Sequence, residues 1–424
     1  MTELASDAAP VRLPTAWRSD AMTRRIKKRY VAETRFRRIG QLAILLSAGF
    51  LAFLLITMAW NGFRGFSRTE ITMPVDFPAL AIPLSPATVR AGPDAALSAV
   101  DLEKPMARAA AAALGPNGPL AISESGWLVM RNAIKDDPAI LTRKVVLSIP
   151  ASSKVALAER GEGDPNSREI YADLEKRGVL THGFNPSFLS GSDATDPSQA
   201  GIWGALKGSL LTMLVTLLLA FPIGVLSAIY LEEYAPKNRW TDLIEVSINN
   251  LAAVPSIIFG LLGLAVFLNT MNLPRSAPLV GGMTLALMTM PVIVIAGRNA
   301  IKSVPPSIRD AALGIGASPI QVVFHHVLPL ALPGILTGTI IGMARALGET
   351  APLLMIGMRA FVATPPGGVT DPSSVLPVQI FLWSDEISRG FIEKTSAAII
   401  VLLVFLLAMN GIAIYLRNRF ETRW

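Results

Sequence analysis

The arrangement of the chain is decided by the stretch RDAALGIGASPIQVVFHHVLP, residues 309–329, which lies between two long apolar segments. Two prolines precede it, and proline suits the first turn of a helix. Gly314 and Gly316 should end a first short helix, because glycine accepts the left-handed backbone of a helix C-cap. Ser318 and Pro319 then supply an N-cap and a first helical residue. The stretch therefore predicts two short helices at a bend, with the second running to the proline at 329. Together they form a knob able to insert into a partner's groove.

The composition around this stretch is that of a membrane protein. The chain has 424 residues, of which 51% are hydrophobic and 16% are charged, whereas soluble domains carry about 25% charged residues. Crossing a bilayer takes about 20 apolar residues. Six stretches are long enough: 40–62, 208–230, 246–268, 279–297, 331–358 and 395–416. The sequence therefore predicts an all-α membrane protein with six transmembrane helices.

The first stretch has a second interpretation as a cleaved signal peptide, because eight basic residues between positions 24 and 38 precede it. A signal peptide has an apolar core of about 7–15 residues and a small-residue cleavage site. This stretch is longer and no such site follows it directly, which favours a retained anchor.

Lysine and arginine are unevenly distributed among the loops, and they gather in short loops on the cytoplasmic side of a membrane. With the N-terminus inside, eighteen of them lie in residues 1–39, 231–245, 298–330 and 417–424, against four in the short outside loops. Both termini are therefore predicted to be cytoplasmic, with the long segment 63–207 outside.

The outside segment should fold as a small α+β domain over residues 63–200. Ser98–Leu114 is rich in alanine and predicts a helix, Thr142–Ile149 predicts a strand, and Ser167–Arg177 predicts a charged helix. Residues 181–200 are rich in turn-forming residues and are predicted to be a linker. Two roles stay open for this domain, a docking or spacer module and a ligand sensor.

Several kinds of chemistry are excluded or disfavoured. The chain has no cysteine, hence no disulfide and no thiolate metal site. His325 and His326 are adjacent and diverge by about 100° on a helix, so they make a poor chelate. No phosphate-binding loop of the form G-x-x-x-x-G-K-[ST] is present. We expect no catalytic residue, metal or cofactor, and any ATP hydrolysis would belong to another chain.

The fifth apolar stretch contains ALPGILTGTIIGMARALGETAPLLMIG, residues 331–357, and it alone of the six carries charged residues. Gly334, Gly338 and Gly342 recur every four residues, a pattern typical of close helix packing in lipid. On a continuous helix these glycines, Arg345 and Glu349 would share a face about 80° wide. Both charges should therefore point into the bundle.

Two interpretations of Arg345 and Glu349 stay open. Ionisable residues in a membrane span are costly and are functional by default. In the functional interpretation Arg345 meets an anion crossing the membrane, and Glu349 holds Arg345 in place. In the structural interpretation the two residues form an ion pair that locks two helices together.

The third apolar stretch contains NNLAAVPSIIFGLLGL, residues 249–264. Pro255 removes a backbone donor and should bend the helix there. Asn249, Asn250 and Ser256 are the polar residues beside the bend. Such a bend can line a translocation path, although a purely structural kink is equally compatible with the pattern.

The cytoplasmic loop between the fourth and fifth stretches resembles the EAA loop of the binding-protein-dependent permeases of ABC importers. That loop has an acid and two alanines, then three residues and a glycine, then eleven residues and Leu-Pro. An aspartate stands here for the usual glutamate, and His326 occupies a usually aliphatic position. In the family this loop docks in a cleft of the ATPase subunit, which would give that role to Asp310, Ala311, Ala312, Gly316, Leu328 and Pro329.

Two further segments, residues 344–354 (ARALGETAPLL) and 249–264, resemble the permease subunits of bacterial phosphate importers. The resemblance covers residues 200–424 and implies a six-helix permease of the inner membrane. Five of its helices and the coupling loop at 298–330 would lie in a transmembrane domain over residues 201–424. Residues 1–39, 40–62 and 63–200 would be a basic cytoplasmic segment, the first transmembrane helix and a periplasmic insertion. The implied partners are phosphate, membrane lipid, an ATPase subunit dimer, a second permease subunit and a periplasmic phosphate-binding protein.

Two alternatives belong to other classes. A permease for sulfate, molybdate or an organic solute would carry the same loop. A membrane sensor of phosphate status would use residues 63–200 as its receiver, but the cytoplasmic pieces are too short to bury an output domain.

Overall fold

The computed structural model describes residues 20–161, 163–388 and 390–420. The first nineteen residues of the predicted basic segment lie outside the described residues. The chain divides into two compact units, residues 1–57 and 58–424. Helix α1 (Asp20–Gly65) supplies all of the described first unit. Because no proline interrupts residues 20–65, the basic segment and the first apolar stretch form one helix.

A small α+β domain follows α1, as predicted. Its three-stranded antiparallel sheet has the order β2-β1-β3. Every second residue of β1 is buried, among them Ile71, Met73 and Val75, because successive side chains of a strand point to opposite faces. The elements in chain order are β1 (Ser67–Asp76), α2 (Phe77–Leu80), α3 (Pro86–Ala91), α4 (Pro93–Ser98), α5 (Glu103–Leu114), α6 (Gly118–Ala121), α7 (Gly126–Asp136), β2 (Lys144–Pro150), α8 (Ser153–Ala158), α9 (Pro165–Lys176), β3 (Leu180–Phe184) and α10 (Pro186–Ser190).

Two predictions for this domain were wrong in part. The helix predicted over Ser98–Leu114 begins at Glu103, where the Asp101 carboxylate accepts the Glu103 N–H at 3.0 Å. The predicted linker 181–200 contains most of β3 and all of α10. β3 is short and mostly exposed, so it lacks the apolar alternation that identifies a strand.

The domain is fastened to the N-terminal turn of the last long helix. Lys394 there is 6% exposed, donates through Nζ to the Gly65 carbonyl at 2.9 Å and lies 5.0 Å from the Phe188 ring centre. Beside it Arg160 of the domain pairs with Glu393. These contacts connect the domain, the end of α1 and the membrane helices.

The membrane portion contains ten further helices, confirming an all-α membrane fold. Five helices of the described residues are long and apolar enough to cross a membrane, and a sixth crossing exists if one bent pair counts as a span. Short π-helical turns extend three helices, at Tyr230–Tyr234, Gly263–Thr270 and Val322–Val327. The helices are α11 (Trp203–Ile229), α12 (Arg239–Ala252), α13 (Ser256–Leu262), α14 (Pro278–Lys302), α15 (Pro306–Gly314), α16 (Pro319–Gln321), α17 (Leu328–Gly348), α18 (Ala351–Met355), α19 (Leu376–Ser384) and α20 (Gly390–Phe420).

Two of the predicted spans are broken rather than straight. In the third, α12 and the helical segment Ser256–Thr270 meet at 103°, with Pro255 between them as the predicted bend. The fifth was predicted to continue to residue 358, which is wrong because α17 ends at Gly348. Pro352 explains that end, since proline cannot donate to the carbonyl four residues earlier and its ring clashes with it.

The glycine face of α17 packs on α14, which confirms the close packing that its spacing predicted. A β-carbon added at Gly334 would lie 2.7 Å from the Ala300 β-carbon, and one added at Gly342 would lie 3.0 Å from the side chain of Thr289. At Gly338 it would overlap the Ala296 β-carbon. The two helices therefore touch almost backbone to backbone.

We expect Gly338→Ala to destabilise the protein by about 1–3 kcal/mol, because an added methyl overpacks a filled contact. The measurement is the apparent Tm in detergent. Gly411→Ala in α20 is the matched control, since nothing lies within 4 Å of a β-carbon there. Equal Tm values for the two variants would contradict the close contact.

Candidate functional site

Arg345 and Glu349 pair with each other where α17 ends. The Arg345 Nε atom lies 3.6 Å from Glu349 Oε1, and the two side chains are 50% and 21% exposed. Arg345 occupies the last turn of α17, whereas Glu349 has extended backbone just beyond it. The prediction that both charges share one face of a continuous helix was therefore wrong, and Arg345 lies at the surface of this chain.

Both helix breaks are followed by short helices that pack on each other. A β-carbon added at Gly260 of α13 would lie 2.6 Å from the Pro352 Cα atom of α18. The segments 249–264 and 344–354, singled out separately in the sequence, thus meet in the fold. Buried packing of this kind is what irregular backbone at membrane depth requires.

The three polar residues at the first break are less closely organised. Asn249 and Asn250 lie exposed on the last turn of α12, and Ser256 is half-buried at the start of α13. Within the described residues no hydrogen bond or ion pair joins any of them to Arg345 or Glu349. Their place in a substrate pathway stays a prediction.

The knob between the fourth and fifth spans has the predicted form. α15 is followed by Gly316 at φ +89°, a left-handed conformation that favours glycine. Ser318 caps α16 in a reciprocal box, in which its Oγ atom accepts the Gln321 N–H at 3.4 Å and its own N–H donates to the Gln321 side chain at 2.9 Å. Ala312 is buried among valines of the following π-helical turn, while Asp310 and Ala311 are exposed. The knob therefore has one anchored face and one free face.

The second helix of the knob does not stop at Pro329, contrary to prediction. The π-helical turn Val322–Val327 carries the backbone from α16 directly into α17. Leu328 and Pro329 are the first two residues of α17, where proline is tolerated because the first helical N–H groups have no intrahelical partner. The second helix of the knob and the membrane helix α17 are consequently one continuous rod over Pro319–Gly348.

Ion pairs that the sequence reading missed fix α15 to the ends of the membrane helices. Arg309 Nη2 lies 2.7 Å from Glu233 Oε1, and its guanidinium also donates to the Val304 and Ile301 carbonyls at 2.7 and 3.1 Å. The Arg309 and Glu233 side chains are 23% and 12% exposed. The pair therefore ties the base of the knob to the end of α11.

A second ion-pair group lies beside the first. Arg298 of α14 pairs with Glu245 of α12 at 2.8 Å and with Glu232 at 3.4 Å. The sequence signal for these pairs is two adjacent glutamates directly after the second apolar span, together with two arginines in the loop between the fourth and fifth spans. The orientation prediction depends on lysine and arginine alone, so it does not reveal the pairing with these glutamates.

The sequence matches two known protein families. The family described as binding-protein-dependent transport system inner membrane component matches residues 220–422. A domain of unknown function matches residues 23–169.

Three of the known proteins that are similar to the chain show the family. The probable ABC transporter permease protein YqgI of Bacillus subtilis is 31% identical over 250 residues, which are 54% of this chain and 83% of that protein. The phosphate transport system permease protein PstA of Haemophilus influenzae is 30% identical, over 50% of this chain and 74% of that protein. For PstA 1 of Mycobacterium tuberculosis (strain CDC 1551 / Oshkosh) the identity is 35%, over 37% of this chain, and the match spans about half of that protein, 51%.

We expect Arg309→Glu to lower the apparent Tm, because it breaks a largely buried pair and sets two carboxylates together, a loss of about 3–5 kcal/mol. The exchanged pair Arg309→Glu with Glu233→Arg should regain part of that loss. Recovery should be incomplete, since a glutamate cannot donate to the two carbonyls.

Lys302→Glu is the control for this experiment. Lys302 is 57% exposed and 3.8 Å from Glu232, and exposed pairs contribute about 0–1 kcal/mol. An exchanged pair no more stable than Arg309→Glu alone would show that the ion pair does not hold the knob.

Proposed function

The chain belongs to the PstA family of ABC transporter permease proteins, and we propose that it carries inorganic phosphate across the inner membrane as one permease subunit of an ABC importer. Arg345 at the end of α17 is the observation that carries the substrate assignment. Its guanidinium is half-exposed, and Arg345 is the one charged residue of α17. A guanidinium binds phosphate through two parallel hydrogen bonds.

Glu349 fits the same role. At 3.6 Å from Arg345 Nε it orients the guanidinium without forming a close hydrogen bond. A nearby carboxylate also weakens the hold on an anion, which must be bound loosely enough to leave. A pair this exposed contributes only about 0–1 kcal/mol to stability, which favours the functional interpretation over a helix lock.

In this proposal, the conformational change driven by ATP hydrolysis reaches the permease through the knob. Its exposed face, with Asp310 and Ala311, would dock on a separate ATPase subunit of the dimer, which hydrolyses ATP. A second permease subunit and a periplasmic phosphate-binding protein complete the importer. Both termini are cytoplasmic in this arrangement, and residues 63–200 are periplasmic.

Arg345→Lys should impair phosphate uptake, because an ammonium lacks the planar fork, and Arg345→Gln should nearly abolish it. The measurement is ATP-dependent uptake of labelled phosphate by the assembled importer in vesicles. Arg359→Gln, an exposed arginine in the following loop, is the control and should leave uptake unchanged.

The double variant Arg345→Gln with Glu349→Gln separates cargo binding from helix locking. A lock made neutral on both sides should regain transport, whereas an anion site should not. Full uptake by the double variant would overturn the assignment of Arg345.

The orientation can be tested with single cysteines, since the chain has none. Ser98 of α4 and Ser307 of α15 are both exposed. A membrane-impermeant maleimide should label Ser98→Cys in intact spheroplasts and Ser307→Cys only after permeabilisation. The reverse pattern would overturn the topology.

A further inference from the structure

A cavity of ≈ 340 Å³ lies where the α+β domain meets the start of α20. Three cationic side chains line it from three places in the chain: Arg68 on β1, Arg160 after α8 and Lys394 on α20. Glu159 and Glu393 are the carboxylates of the same wall. Small-molecule sites in proteins have volumes of about 300–1,000 Å³, so the cavity has room for a small solute.

Both carboxylates of this wall already have partners. Glu393 pairs with Arg160. One oxygen of Glu159 accepts a hydrogen bond from the Thr69 hydroxyl at 2.6 Å, and its other oxygen lies 3.4 Å from Nδ1 of His182. Neither carboxylate is therefore left over to neutralise a further cation.

Among the described residues, Lys394 is the cation of this wall without a carboxylate partner. Arg68 pairs with Glu70, whereas no described carboxylate lies within ion-pair distance of the Lys394 ammonium. The ammonium donates to the Gly65 carbonyl at 2.9 Å, which uses one of its three N–H donors, and it lies 5.0 Å from the Phe188 ring centre. Lys394 is only 6% exposed, and a buried charge is costly unless it is paired.

The neighbouring charges do not replace a direct partner. Arg68 and Arg160 repel the Lys394 ammonium, and Glu393 and Asp196 attract it. These two carboxylates act from beyond ion-pair distance, and Glu393 is already paired with Arg160. An anion in the cavity would supply the missing partner and would meet all three cations.

We propose that this cavity binds a small soluble oxyanion of the phosphate type, held by Lys394 of α20 and by Arg68 and Arg160 of the α+β domain. Guanidinium and ammonium groups bind phosphate oxygens through charge-assisted hydrogen bonds. Because the ligand contacts both the domain and α20, its binding strengthens the attachment between them. Arg345 does not line this cavity, so the site stands apart from the proposed function.

The test measures binding of labelled inorganic phosphate by the purified full-length chain in detergent. The parent for this test is Arg345→Gln, which removes the proposed transport site. Equilibrium dialysis should give one phosphate per chain, and phosphate should raise the apparent Tm, because a ligand of the folded state stabilises it. Lys394→Met should lower the affinity by about tenfold or more, as expected for a lost hydrogen bond to a charged ligand.

A second variant blocks the cavity without changing a charge. Ala156 of α8 lines the cavity and is half-buried, so Ala156→Trp should fill the space and abolish phosphate binding. It also tests the site if Lys394→Met fails to fold. Lys135→Met is the matched control, because Lys135 belongs to the same domain, pairs with Asp94 at 2.7 Å and does not line the cavity. It should bind phosphate as tightly as the parent.

Three outcomes overturn the site. If the parent binds no phosphate at millimolar concentration, or if Lys394→Met and Ala156→Trp bind it as tightly as the parent, Lys394 only fastens the domain to α20. If chloride at the same ionic strength raises the Tm equally, the effect is general screening. If phosphatidylglycerol in nanodiscs raises the Tm through Lys394 and phosphate does not, the cavity holds a lipid headgroup. Loss of uptake in Arg345→Gln bears on the proposed function alone.

Discussion

The close approach of α14 to α11 and α17 is the contact on which the bundle depends. Lipid offers no hydrophobic drive for helix association, so helices in a membrane hold together by packing at short range. Glycine residues on all three helices allow the backbones to approach this closely. On α14 a β-carbon at Gly297 would lie 2.8 Å from the Ala228 β-carbon of α11, and on α17 Gly338 leaves room for the Ala296 β-carbon. A tight three-helix unit results, and it is the frame against which the less regular helices are placed.

That frame allows the two breaks to exist. Interrupted backbone at membrane depth survives only when it is buried in protein or lines a wet cavity. Here α13 and α18 cover each other through Gly260 and Pro352. α19 is held to α11 through Ser209 and the close approach at Gly208. Each of these short helices is thus held by close packing against another helix.

Much of this was predictable from the sequence, and the misses have local causes. Apolar length fixed the number of crossings, and the glycine, serine and proline spacing fixed the bend of the knob. The predicted position of Glu349 was wrong, because it assumed 100° per residue along an unbroken helix. Pro352 ends that helix at Gly348. Periodicity also failed at β3, whose stability comes from pairing with β1 rather than from its own pattern.

One consequence concerns the continuity of the knob with α17. The rod Pro319–Gly348 has 30 residues, a length of about 45 Å at 1.5 Å per residue. One end of the rod is in the knob, and Arg345 lies in the last turn at the other end. A rod of that length tilted by about 10° at one end moves its far end by about 8 Å, more than the width of a phosphate ion. The geometry is that of a lever, in which a small rotation at the knob becomes a displacement of several ångströms at the guanidinium, with no need for a chain of successive side-chain rearrangements.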